Sequence, residues 1–440
     1  MRSMKESGID WIGIIPEDWD VVPFRSYVKE RAEKNKGEKT RELLALSFAL
    51  GVTLYKDKVF NMDRVKENYE DYQLVYENDL VLSPNDIIKG SIFVSKYNGC
   101  ISPMYLVFSV RDAETHYLPY LSYLLRTSAA GRKFFFIARG LIGGILDNGK
   151  YVTRRMTVSK QDLLSFQVLL PPLPTQQRIA DFLDRKCAEI DELAALQETM
   201  IAELKRYKQS VITEAVTKGL DPNVPMKDSG VEWIGEIPEG WEVKKVKNVT
   251  TAINKGNGIT KEEVFADGDT PCVRYGEIYS KYDNSFVTCI SKTKKDVLST
   301  LHYFGNGDIL CAGTGELVEE IGKSIVYLGE NKCLAGGDII VLSHNQNPLF
   351  LNFALNSRYA QAQKSCSKAK LKVVHISAYD IGSVLIAFPP LSEQRAIADY
   401  LDQKCAEIDE LIAIKQQKIE ALKEYKKSVI FEYVTGKKEL

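Results

Sequence analysis

Two stretches of this chain recur about 220 residues further on, and the pattern they make limits the fold more than any single motif. Residues 4–21, MKESGIDWIGIIPEDWDV, return at 226–243 as MKDSGVEWIGEIPEGWEV with 12 of 18 positions identical; residues 184–193, DRKCAEIDEL, return at 402–411 as DQKCAEIDEL. Between these matching ends the two copies, 22–165 and 244–384, show little resemblance. One frame therefore carries two different inserts. The spacing far exceeds the roughly 20–50 residues of solenoid repeats, so the pattern predicts two domain-sized units in a pseudo-twofold relation.

With 440 residues, 45% of them hydrophobic, the chain can bury two cores and still leave extended structure. Its eight cysteines include no CxxC pair, its four histidines have no metal-ligand spacing, and no apolar run has membrane-spanning length. A soluble chain without a disulfide framework, bound metal or membrane anchor is expected, and the lack of a signal-peptide pattern points to the cytoplasm. Net charge is −1, so any surface for a polyanion must be local.

Each copy closes with an apolar strand-like run, a Pro-Pro-Leu break and a long helical pattern. These are FQVLL (166–170), Pro171-Pro172-Leu173 and a helix from Thr175; then VLIAF (384–388), Pro389-Pro390-Leu391 and a helix from Ser392. The implied order is a globular domain (1–174), a first repeated helix (175–218), a linker (219–225), a second globular domain (226–391) and a second repeated helix (392–440). Leu183, Ile190, Leu193, Ile201, Leu204 and Val211 are read as one apolar stripe, matched by Leu401, Ile408, Leu411, Ile419, Leu422 and Val429. A helix of about 40 residues spans about 60 Å and needs a partner for its stripe. The first helix carries the chain away from the first domain, so the second can pair with it only by running back. An antiparallel coiled coil between two mixed α/β (α+β) domains follows. Short apolar runs such as MYLVFSV (104–110) and GDIIVLS (337–343) between turn residues make the inserts strand-rich.

All four tryptophans, Trp11, Trp19, Trp233 and Trp241, lie in the repeated N-terminal segments. They either anchor that segment to its domain or present the same partner-binding surface twice. Residues 117–146 contain no Asp or Glu but include Arg126, Arg132, Lys133 and Arg139, with Lys150, Arg154, Arg155 and Lys160 following; residues 339–379 are also acid-free and contain Arg358, Lys364, Lys368, Lys370 and Lys372. Aligned on the Pro-Pro-Leu breaks, Lys150 meets Lys368 and Arg154 meets Lys372. Basic clusters at matching places suit the phosphates of a nucleic acid, with Lys150, Arg154, Arg155, Lys368, Lys370 and Lys372 as the candidate contacts. Enzyme signals fail by comparison. Gly322-Lys323-Ser324 ends like a phosphate-binding loop, but Leu317 stands where the loop needs glycine. Asn347-Pro348-Leu349-Phe350 lacks the second proline of an amino-methyltransferase motif and reads as a helix start. Cys187 and Cys405 sit beside the stripe as packing residues.

Along its whole length the chain resembles the specificity subunits of type I restriction-modification systems. The resemblance rests on WIGIIPEDW and WIGEIPEGW, on PPLPTQQRIADFLDRKCAEID and PPLSEQRAIADYLDQKCAEID, and on variable inserts alternating with repeated helices. The first copy departs slightly at Gln177-Arg178, where the second has Arg395-Ala396. The family implies two target recognition domains that read a split site in double-stranded DNA, with the helices as spacer. It also implies assembly with two methyltransferase subunits and with restriction subunits, on which S-adenosylmethionine, ATP and Mg would be bound, and no catalysis by this chain. A coiled-coil scaffold whose inserts bind proteins is the alternative; it would lack the steep fall of affinity with salt that phosphate contacts give.

Overall fold

The repeated N-terminal segment folds the same way in both copies, because glycine stands wherever its backbone turns left-handed. In this computed structural model, which describes residues 2–48, 50–58, 68–145, 151–260, 262–297, 301–366 and 374–440 (backbone alone at 141–145 and 151–155), Met4–Glu6 pairs antiparallel with Ile14–Pro16, and Met226–Asp228 pairs with Glu236–Pro238 in the same register. Gly8, Gly13, Gly230 and Gly235 hold φ between 70° and 74° in the turns. Next, Asp20–Pro23 pairs antiparallel with Gln167–Leu170, and Glu242–Lys245 with Leu385–Phe388. Each insert thus starts and ends on adjacent strands of its own domain.

The first insert builds a four-stranded antiparallel sheet in the order Val28–Glu30, Leu106–Val110, Leu80–Leu82, Ile92–Val94. The second builds a five-stranded sheet, Thr250–Lys255, Ile339–His344, Ile309–Ala312, Ser324–Tyr327, Ser285–Phe286, whose last pairing is parallel, and a four-stranded sheet beside it. After its sheet the first copy has a helix pair, α1 (Leu118–Leu125) and α2 (Ser128–Ile137), and then the long helix α3 (Leu173–Lys218). The second copy has α4 (Pro348–Asn356), α5 (Arg358–Ser365) and the long helix α6 (Leu391–Val434). Thr127 and Ser357 begin α2 and α5 in the same manner, each hydroxyl accepting from the backbone N–H three residues on. The two long helices start at Leu173 and Leu391, slightly before the expected Thr175 and Ser392; in the first, Pro174 is tolerated because an N–H in the first turn has no helical partner.

The chain divides into two compact units, residues 1–197 with 417–440, and residues 198–416. Each unit therefore contains one stretch of α3 and one of α6. In the first, Phe182 packs on Tyr433 with ring centres 4.5 Å apart and Lys426 pairs with Asp191 at 2.6 Å. In the second, Lys415 reaches the Met200 sulfur at 3.5 Å and Lys208 meets Asp409. In both units the segments run antiparallel. Ile190, Ile201, Ile408 and Ile419 are buried, but Leu193 and Leu411 are about half exposed. Ten residues at about 100° each bring Leu193 roughly 80° off the line of Leu183, so these two leucines do not belong to the stripe.

Candidate nucleic-acid interface

The frame pins the basic stretch of each insert at the same point. Ser159 accepts from the Asp162 N–H to start the short helix Lys160–Ser165, and Ser377 accepts from the Asp380 N–H to start Ala378–Ser383. Just before these helices, the Val158 N–H donates to the Pro84 carbonyl at 3.1 Å and the Ile376 N–H to the Gly313 carbonyl at 2.9 Å. The chain between the helix pair and this bridge holds the sequence-predicted contacts. In the first copy it contains the hairpin Arg139–Ile145 with Tyr151–Thr157, whose register shifts at two bulges. Arg154 and Arg155 lie on its second strand, where the backbone alone is described. Lys150, Lys368, Lys370 and Lys372 lie outside the described residues.

The other cations separate into free and occupied. Arg139 is largely exposed, with a loose contact to Asp162 at 3.5 Å. Lys160 is engaged with Glu30 at 3.0 Å, and the Arg126 guanidinium stacks 4.2 Å from the centre of the Phe93 ring. Lys364 belongs to the core. Only 3% exposed, it donates to the Gly322 carbonyl at 2.8 Å and stands seven residues after the cap of α5, as Phe134 does after the cap of α2. Burial pushes its amine down to about 8.

A pH dependence of stability follows. Between about pH 8 and the usual lysine value the unfolded chain holds a proton that the folded chain does not, so stability rises with pH, by up to about 1.4 kcal/mol per unit. Denaturant unfolding of wild type and Lys364→Met at pH 8.5 and 9.5 is expected to show this gain in the wild type and not in the variant. Equal pH responses would mean that the amine is not carried into the core as a neutral group.

The four tryptophans divide two and two. Trp19 and Trp241 are each 1% exposed, so of the two readings open to them the anchoring one fits: they pack in the core and offer no surface to a partner. Trp11 is partly covered by Phe166, stacked at 6.0 Å, while Trp233 is 50% exposed. A pair that the sequence reasoning passed over holds the helix pair to the long helix. Gln176 and Gln394 are both buried; Gln176 accepts from the Tyr117 N–H at 2.9 Å and donates to the Thr115 and Pro171 carbonyls, while Gln394 accepts from the Asn347 N–H at 3.1 Å and donates to the Pro389 carbonyl. Their identical place in the repeated PPL-x-x-Q pattern, three residues after Leu173 and Leu391, was the available signal.

The rejected enzyme signals have structural explanations. Gly322-Lys323-Ser324 runs into the strand Ser324–Tyr327 and not into a helix, and the Lys323 ammonium turns back to the Tyr282 carbonyl at 3.3 Å. Asn347 is the cap of α4, its side chain accepting from the Phe350 N–H at 2.9 Å with Pro348 in the first turn. Cys187 and Cys405 are buried thiols, and burial pushes Cys405 up to about 11.

Comparison with known proteins agrees with this architecture. Residues 238–424 match the type I restriction modification DNA specificity domain. The MjaVIII type I restriction enzyme specificity subunit of Methanocaldococcus jannaschii is 26% identical over 96% of this chain and 93% of its own length, and the EcoKI specificity subunit of Escherichia coli is 27% identical over 46% of this chain and 44% of its own. Among solved structures, one concerning complex assembly and conformational transition of the type I R-M system contains a chain that superposes with a TM-score of 0.70 at 16% identity, covering 96% of this chain and 98% of that one. The HsdS subunit of Thermoanaerobacter tengcongensis superposes with a TM-score of 0.51 at 15% identity and the same coverage. No described helix is long and apolar enough to cross a membrane. In sequence and in fold, the chain is similar from end to end to a type I restriction-modification specificity subunit.

Proposed function

We propose that the chain binds double-stranded DNA at two places, each insert reading one half of a bipartite, asymmetric site, and that it holds two methyltransferase subunits and the restriction subunits against that site. The observation that carries this is the repetition of the frame with unlike contents: the same strand pair, capped helix and backbone bridge hold a basic stretch in both copies. The frame supplies phosphate affinity of one kind twice, and the differing inserts supply two different base preferences. Methyl transfer and ATP hydrolysis are assigned to the partner subunits, with S-adenosylmethionine, ATP and Mg bound there. The repeated segments around Trp11 and Trp233, and the exposed Leu193 and Leu411, give a partner equivalent surfaces on the two copies.

Exchange of one insert tests the division of labour. The strands Asp20–Pro23 and Gln167–Leu170 lie side by side, so residues 22–165 can be replaced by the insert of another such subunit without moving the frame. Sequencing of methylated bases after the exchange is expected to show one half of the recognised sequence altered and the other intact. A change in both halves, or in neither, would refute independent reading.

A further inference from the structure

The bridge that pins each basic stretch also carries a side-chain pair, and the pair differs between the copies. In the first, the hydroxyl of Thr157, next to the bridging Val158, donates to the Asn85 side-chain oxygen at 2.6 Å, Asn85 being next to the bridging Pro84. In the second, His375 is next to Ile376 and Thr314 next to Gly313, and the Thr314 hydroxyl lies 3.0 Å from His375 Nδ1. The outward member is Asn85 in one copy and His375 in the other; Thr314 is buried and Thr157 half-buried. So one backbone device presents an amide in the first copy and an imidazole in the second, each steadied by a threonine across the bridge.

What remains free on each suits a base edge. With its oxygen held by Thr157, Asn85 keeps its NH₂ donors and one lone pair, the donor-and-acceptor set that pairs with adenine N7 and N6. With Nδ1 held by Thr314, His375 keeps Nε2 to donate or accept. It borders a groove of about 390 Å³ that is also lined by Lys255 and Asp338. These two are 3.7 Å apart, and Asp338 holds a left-handed backbone, φ 58°. A cation and a carboxylate side by side make a poor phosphate site but offer both a donor and an acceptor to bases. Thr157 stands two residues after Arg155, and His375 three after Lys372, so both pairs adjoin the basic candidates in sequence.

We propose that Asn85 and His375, on opposite sides of the same backbone bridge in the two inserts, are base-reading residues, Asn85 for one half of the site and His375 for the other. This rests on the DNA-binding function proposed above. The test selects from a pool of random-sequence duplexes with the full chain, as wild type, Asn85→Ala and His375→Ala, and measures affinity for the wild-type selection across a salt series. Each variant is expected to lose preference at one or two positions in one half only. Affinity should fall by about 5- to 150-fold, as a mismatched pair does, at an unchanged salt slope because no counterion is released by a base contact. Asn85→His and His375→Asn can keep the bond to threonine and should shift the preference while leaving the thermal unfolding temperature unchanged. Variants that select the wild-type sequence with wild-type affinity, weaken all duplexes equally, or both alter the same half would overturn the assignment. A wild type that selects no sequence would overturn the DNA-binding function itself, and the assignment with it.

Discussion

Trp19→Ala is expected to remove about 3–5 kcal/mol of stability from the unit that contains it, the range for truncating a buried tryptophan. Trp19 is 1% exposed, lies edge-on to Tyr120 at 6.3 Å, and is covered by the turn that follows α6, where Gly436 takes φ 69° and any Cβ would come 2.5 Å from the Pro16 ring and 3.0 Å from the indole. Tyr120 in turn donates to the Val434 carbonyl at 2.8 Å. Removing the indole would open a cavity where hairpin, α1 and the end of α6 meet. Trp233→Ala, at a half-exposed ring, should cost less than about 1 kcal/mol. Denaturant unfolding followed by circular dichroism separates the two, and equal costs would contradict the anchoring role. The second copy shows how the site could be improved. The Trp241 indole N–H donates to Glu393 at 2.8 Å, whereas the buried Trp19 N–H has no partner among the described residues. Glu393 is the third residue of α6, and the third of α3 is Thr175. Thr175→Glu is therefore expected to stabilise the first unit by about 1 kcal/mol, the usual yield of satisfying a buried donor. A loss of stability would mean that the carboxylate cannot reach the indole.

The repeated frame could be read from the chain because glycine turns, paired prolines and a helical stripe impose residue identity. The helix pairs could not. Leu118–Ile137 and Pro348–Ser365 share almost no identity, yet both have a hydroxyl cap between their helices and large apolar residues, Tyr120 with Leu121 and Phe350 with Leu351, turned into the core. A core requires apolar volume at those places and does not specify which residue supplies it, so the repetition is lost from the sequence while it persists in the fold. The same looseness misplaced charge. Counting cations in an acid-free run cannot separate Arg139, which is exposed, from Lys364, which occupies a phenylalanine's place in the core. The Thr157–Asn85 and Thr314–His375 pairs were equally hidden, since their members lie about 60 to 70 residues apart in sequence and meet only across the bridge.

Changing Lys368, Lys370 and Lys372 together to alanine is expected to lower affinity for specific and random duplexes alike by about a hundredfold at roughly 0.15 M salt. Each neutralised phosphate contributes about 0.9 to the slope of log affinity against log salt on B-DNA, so losing three contacts should make the slope shallower by about 2.7. Lys364 is left in place because its removal would report on the core and not on phosphate. Proportional loss on all duplexes separates these lysines from Asn85 and His375, whose removal should change which sequence is preferred and leave the slope alone. The two variant sets thus divide binding into a part that any duplex satisfies and a part that only the cognate site does. An unchanged slope in the triple variant would take the three lysines off the DNA surface, and the acid-free stretch from 339 to 379 would then need another account.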